Sequence, residues 1–216
     1  MKTAYFWLTP QGKQLAEQLQ AHFGGTVEPK ADFAEAVRRA FADCDALVFV
    51  MATGIVVRTI APLVQSKASD PAVLVLDQRG KHVISLLSGH LGGANAMAEQ
   101  AAAYLGGEAV ITTATDVEHV PAFDLFAKEN HLTIENLEEL KYISGALVAG
   151  EPVSLCTAFP VEKNAFPETV QIQSFSETPR HACAVAIADT TESVAAPHVL
   201  YLRPKSLVLG VGCKKQ

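Results

Sequence analysis

Ala46-Leu47-Val48-Phe49-Val50, followed by Met51-Ala52-Thr53-Gly54-Ile55-Val56-Val57-Arg58, is the stretch on which the fold turns. Five apolar residues without interruption read as a strand covered on both faces. The small residues after them make a turn, and the run from Gly54 opens a helix. Further along, His82–Leu87 runs in the same way into Ser88-Gly89-His90-Leu91-Gly92-Gly93-Ala94-Asn95, where a second helix begins near Leu91. A helix start presents unbonded N–H groups and a partial positive charge. Two such starts carrying Thr53, Arg58, Ser88 and His90 predict one polar, anion-attracting rim, read here as the functional site.

Outward from that centre the pattern alternates. Ala4–Leu8 reads as a buried strand, and Thr9-Pro10 as an N-cap with proline at the first helical position. Leu15, Leu19 and Phe23 give the next helix its apolar stripe. Asp32 with Glu35 three residues on resembles a capping box before a helix carrying Phe33, Val37 and Ala40, with Arg38 and Arg39 facing solvent. The helix from Gly54 is apolar nearly all round and is expected to be largely buried. Arg58 within it therefore needs a partner, a carboxylate either of the protein or of a ligand. Ala72–Leu76 and His82–Leu87 flank the turn-rich Asp77-Gln78-Arg79-Gly80, which predicts a β-hairpin. A small-residue helix and a strand at Glu108–Thr112 follow. Ligands in an open α/β sheet sit beyond the carboxyl ends of its strands, so the turns at Thr53, Ser88 and Thr113 are expected to share one edge.

After Asp116 the texture changes. Helices across Phe123–Asn130 and Asn136–Ala149 precede strands at Val153–Cys156, Thr169–Ser174, Ala182–Ile187 and Val199–Leu202, separated by loops rich in Pro, Glu and Thr. The expected fold is α/β, a Rossmann-like, mostly parallel sheet with one antiparallel hairpin over residues 1–116. A smaller α+β module spans 117–203. Ser206–Gly210 begins another apolar strand, so 204–216 reads as the start of a further domain that the chain does not continue.

The chain has 216 residues, of which 49% are hydrophobic and 19% charged, a composition that builds a real core rather than a disordered chain. A net charge of -6 argues against non-specific nucleic-acid binding and makes any local cation informative. Cys44, Cys156, Cys183 and Cys213 are scattered, without metal-ligand spacing, and read as free thiols in a reducing cytosol. No apolar run reaches the roughly 20 residues of a membrane helix, so the expected location is cytoplasmic, with no membrane partner. No Walker pattern and no G-x-G-x-x-G after the first strand support a nucleotide site. The glycines from Gly89 to Gly93 serve equally as tight turn and close packing. His90 among them has three readings, as a base, a carboxylate donor or a cap. His22, His119, His131, His181 and His198 lack partners at ligand spacing and read as surface residues.

Residues Thr53–Arg58 and Asp77–Asn95, and above all Ser88-Gly89-His90-Leu91-Gly92-Gly93-Ala94-Asn95, resemble the N-terminal region of the cobalt-precorrin-5A hydrolase (CbiG) family. Thr112-Thr113-Ala114-Thr115-Asp116 fits its continuation, and the middle module resembles the family more loosely. Leu207–Lys215 resembles the opening of that family's C-terminal domain.

That resemblance implies the anaerobic, early-cobalt route to vitamin B12. The family opens the δ-lactone of cobalt-precorrin-5A by water addition and releases acetaldehyde, giving cobalt-precorrin-5B. The implied small-molecule substrate is a macrocycle bearing acetate and propionate carboxylates. Cobalt travels with it, so no cofactor and no protein metal site are expected. Thr53, Gly54, Arg58, Ser88, Gly89, Gly92, Gly93, Asn95 and Thr113 are expected to bind it. Chemistry and position, rather than a motif, suggest His90 as base, amides near Gly89 or Gly92 as oxyanion donors, and Asp116 as either an orienter of the base or a helper of the carbon–carbon cleavage. A non-catalytic corrinoid-binding half stands as the alternative, needing a separate C-terminal domain or a neighbouring pathway enzyme for turnover. A nucleotide-binding regulatory domain is a third reading.

Overall fold

The computed structural model describes residues 1–162 and 165–205. The expectations for Ser206–Gly210, Leu207–Lys215 and Cys213 fall outside them. Two compact units result, one over Met1–Thr113 and the other beginning at Ala114.

In the first unit β1 (Thr3–Trp7), β2 (Thr26–Val27), β3 (Ala46–Val50), β4 (Ala72–Leu76), β5 (His82–Leu87) and β6 (Glu108–Val110) form one sheet, ordered β2-β1-β3-β4-β5-β6. All neighbours pair in parallel except β4 with β5, the antiparallel hairpin. The period-2 rule of strands sorts the core onto two faces. Tyr5, Val48, Val50, Leu74 and Leu76 pack with α1 (Pro10–Phe23) and α4 (Ala94–Leu105). Phe6, Leu47, Phe49, Val73 and Val75 pack with α2 (Phe33–Asp43) and α3 (Thr53–Ile60). Helices on both faces explain why β3 and β4 contain only buried apolar residues. Thr9 caps α1 as expected, its Oγ accepting from the Gly12 amide at 3.0 Å, with Pro10 in the first turn.

Three local expectations are corrected. Asp32 stands in the left-handed region (φ 53°) with no side-chain cap bond, and the Glu35 carboxylate is taken by Arg38 at 2.7 and 2.9 Å instead of reaching back. Only Val56 and Ile60 of α3 are buried, because the helix rests one side on the sheet; Val57 is 46% exposed and Arg58 is exposed. The helix expected from Leu91 starts at Ala94, after a loop.

The second unit contains α5 (Ala114–Val117), α6 (Phe123–Glu129), β7 (Leu132–Ile134), a 3-10 turn at Leu137–Glu139, α7 (Leu140–Val148), β8 (Val153–Thr157), β9 (Val170–Ser174), β10 (Cys183–Ile187) and β11 (His198–Pro204). Its sheet runs β7-β11-β10-β8-β9, parallel throughout except for the antiparallel β7–β11 pair. Phe123, Ile143 and Leu147 cover Leu155, Val185 and Leu200 on one face. Cys156, Ala184 and Ala186 on the other face pack with Val194 and Val199. Cys44, Cys156 and Cys183 are free thiols, and burial pushes Cys156 up to about 11. No helix among the described residues is long and apolar enough to cross a membrane.

Candidate functional site

In the first unit β2 lies on one side of β1 and β3 on the other, so chain order reverses between β1 and β3. Loops leaving the carboxyl ends of two such strands diverge and open a crevice. A cleft of about 650 Å³ lies there. Leu8, Met51, Ile55, Ile84 and Val110 give it apolar walls, while Thr9, Thr53, Asp77, Gln78 and His82 supply polar groups. Its size lies in the range of small-molecule sites, which combine apolar walls with a few polar groups.

The polar groups are held by local bonds. Thr9 Oγ, having accepted the Gly12 amide, donates to Gln78 Oε1 at 3.2 Å. Asp77 accepts from the Arg79 amide at 2.8 Å through Oδ1 and from the His82 amide at 2.7 Å through Oδ2. The same Oδ2 lies 3.5 Å from His82 Nδ1. Burial pushes the Asp77 carboxyl up, but the two amides and the His82 ring outweigh it and leave it below the ordinary aspartate value. Thr53 opens α3 at the cleft. The Arg58 guanidinium folds back over Gly54, its Nη1 3.5 Å from where a Cβ at Gly54 would stand. No hydrogen bond or ion pair engages Arg58 among the described residues.

Ser88, Gly89, His90, Gly92, Gly93, Asn95 and Thr113 stand elsewhere. Because β5 runs antiparallel to β4, the loop leaving β5 lies at the opposite edge of the sheet from Thr53. Ser88 Oγ accordingly donates to the carbonyl of Asp70, just before β4 begins. The five residues of β4 separate the two edges by about 15 Å. The expectation of a single rim shared by Thr53, Ser88 and Thr113 is therefore corrected to two. One edge carries Thr53, Gly54 and Arg58, the other Ser88 to Asn95 with Thr113.

At that second edge the loop is locked by its own atoms. Asn95, 6% exposed, accepts from Ser85 Oγ at 2.7 Å and donates to Thr113 Oγ at 2.9 Å, tying α4 to the ends of β5 and β6. The amides of Ala94 and Asn95 donate to the carbonyls of Ser88 and Gly89. A Cβ on Gly89 would stand 2.6 Å from Asn95 Oδ1, and one on Gly92 would stand 2.5 Å from Ser88 Cβ. Ser88 takes a left-handed conformation (φ 58°) to make the turn, and Gly93 a similar one (φ 88°). His90 is half-buried on this loop. Asp116 belongs to α5, in the second unit.

Sequence reasoning missed Asp77, Gln78 and His82 as site residues and used Thr9 only as a cap. The available signal was the hairpin turn itself, which sets an Asp and a His five residues apart beside the first strand's exit. The surface reading of the other histidines is corrected at two places, His198 and His181. His198 Nδ1 lies 3.0 Å from Glu139 Oε2 and its ring stacks on Tyr142. His181 buries its Nε2, whereas His22 is exposed as expected, with its ring stacked on Tyr104. No group of three or more His, Cys, Asp or Glu able to hold a metal occurs among the described residues.

With this geometry in view, the likeness to known proteins is extensive. Residues 35–116 match the family described as cobalamin synthesis G N-terminal, and residues 121–204 match the cobalamin biosynthesis central region. A cobalt-precorrin-5A hydrolase from Salmonella typhimurium is 37% identical over 98% of this chain. The chain belongs to the CbiG family. Within that family it is also similar to a cobalt-precorrin-5A hydrolase from Priestia megaterium, 36% identical over 78% of this chain. A crystal structure of a cobalamin biosynthesis protein G homologue from Sulfolobus solfataricus covers 94% of the chain, with a TM-score of 0.54 at 25% identity. The CbiG chain described here spans 66% of the Salmonella protein, 48% of the Priestia protein and 60% of the Sulfolobus chain.

Proposed function

We propose that this chain binds cobalt-precorrin-5A and opens its δ-lactone by water addition, with loss of acetaldehyde to give cobalt-precorrin-5B. The reading is carried by the match to the Salmonella hydrolase along nearly the whole chain, through both units. The switch-point cleft suits the substrate class. A flat, largely apolar macrocycle covers its walls, and peripheral carboxylates meet Thr53, the amides opening α3 and the Arg58 guanidinium. That guanidinium sits over the first turn of a helix, where the dipole disfavours a cation, and an anion beside it relieves the conflict. Cobalt enters as part of the substrate, and the reading calls for no cofactor of the protein's own.

A second reading is favoured by the locked loop from Ser88 to Asn95, whose rigidity suits a group held for chemistry. In it His90 takes the proton of the attacking water, and amides near Gly89 or Gly92 receive the oxyanion. Asp116, in the second unit, is tested by its own substitution to Asn.

Anaerobic incubation with cobalt-precorrin-5A, with acetaldehyde measured, tests the activity, and titration of the macrocycle's visible spectrum tests binding. Release well above the enzyme-free rate is expected. Binding without release turns the reading into that of a corrinoid-binding module, and absence of both removes it. Arg58→Ala is expected to weaken macrocycle binding about tenfold, the scale of one lost charge-assisted contact. An unchanged affinity takes Arg58 out of the site.

A further inference from the structure

The apolar walls of the switch-point cleft bind but transfer no proton, so any chemistry there falls to its polar groups. Asp77 is held by the amides of Arg79 and His82, and its Oδ2 faces His82 Nδ1 at 3.5 Å. A carboxylate at that nitrogen favours the tautomer carrying N–H on Nδ1, which leaves the lone pair on Nε2. The His82 side chain is 48% exposed, so water reaches it. The second polar arm is the Thr9–Gln78 bond. Thr9 Oγ accepts from the Gly12 amide at 3.0 Å and donates to Gln78 Oε1 at 3.2 Å, an orientation that turns the Gln78 NH2 away from Thr9. The Gln78 NH2 then remains as a donor with no partner among the described residues. His90 does not line this cleft and lies at the other edge of the sheet.

We propose that His82, oriented by Asp77, is the proton-transfer residue of the cleft, and that Gln78 donates to the oxyanion formed there during ester hydrolysis. The proposal rests on the lactone-opening reading above and gives it a different base from His90. In the addition step the water oxygen bonds to the lactone acyl carbon and its proton passes to His82 Nε2. The carbonyl π pair moves to the carbonyl oxygen, which accepts from Gln78 Nε2–H. Collapse restores the carbonyl and breaks the bond from the acyl carbon to the ring oxygen. His82 returns its proton to that departing alkoxide, leaving a hydroxy acid. Asp77 is a positioning residue, acting through the imidazole.

Two measurements test this. His82→Gln is expected to lower kcat for acetaldehyde release about 100-fold or more, the scale of general acid–base catalysis, with affinity for the macrocycle kept within about threefold. A kcat within about threefold of the unaltered protein overturns the proposal. Independently of substrate, ring-nitrogen NMR at pH 8 is expected to find His82 protonated on Nδ1, and on Nε2 in Asp77→Asn. Protonation on Nε2 in the unaltered protein overturns the orienting role. Because the tautomer is read without substrate, failure to bind cobalt-precorrin-5A counts against the lactone-opening reading alone.

Discussion

Single residues here divide between those that hold the backbone and those that remain available to a ligand. Asn95 is of the first kind: its amide is spent on Ser85 and Thr113, and Gly89 is bare because the Asn95 side chain fills the space a Cβ would take. Asn95→Ala leaves two hydroxyls without their buried partner and is expected to cost about 2–3 kcal/mol, read as a lower urea midpoint with unchanged slope. A loss below about 0.5 kcal/mol would show that water replaces the amide. Asp77 has an electrostatic consequence. Its folded-state pKa lies below the unfolded value, so its contribution is fully present above the ordinary aspartate pKa of 3.8 and is lost as pH falls through the folded value. Urea midpoints of the unaltered protein are therefore expected to fall more steeply below about pH 4 than those of Asp77→Asn. With the side chain 41% exposed, solvent screening keeps the difference small. Parallel acid profiles would remove Asp77 from the linkage. Residue types alone could not separate Asn95 from Arg58, since both are polar groups beside a helix start. What separates them is whether the neighbouring strands supply a partner.

At the scale of elements, periodicity carried most of the information. The hairpin limits Ala72–Leu76 and His82–Leu87 follow from apolar runs interrupted by Asp77-Gln78-Arg79-Gly80, because turn chemistry and strand pattern coincide there. Periodicity failed for α3, where the apolar run suggested burial all round but only two of the helix's four apolar residues, Val56 and Ile60, are buried. An eight-residue helix lying on one side of a sheet has too little surface to cover every apolar position. Strand β7 and the short α5 also escaped, each being too brief for a periodic signal. The alanine-rich α4 rests on β4, β5 and β6, with Ala94 and Ala98 wholly buried. Ala98→Leu has no room and is expected to cost about 1–3 kcal/mol in urea unfolding. Full tolerance would mean that the helix–sheet spacing adjusts freely.

The whole molecule is two units, each with a sheet and core of its own. Residues 1–113 are accordingly expected to unfold cooperatively in urea when expressed alone, with dispersed amide NMR signals; a broad, gradual loss of signal would show that this core is incomplete without the rest of the chain. By itself the sequence determined the α/β class, the strands of both sheets longer than three residues and the family, because burial on two faces, turn residues and the Ser88–Asn95 string are local features. Only the tertiary structure decided which strand ends share an edge. One antiparallel pairing, β4 with β5, carries the loop from Ser88 to Asn95 away from Thr53. The reversal of chain order between β1 and β3 opens a cleft beside Thr9, Asp77, Gln78 and His82. Strand order is set by hydrogen bonding between segments distant in the chain, which no local pattern encodes. The direction of β5 against β4 was local, in the expected hairpin, but which loops share an edge follows only when the whole sheet is assembled.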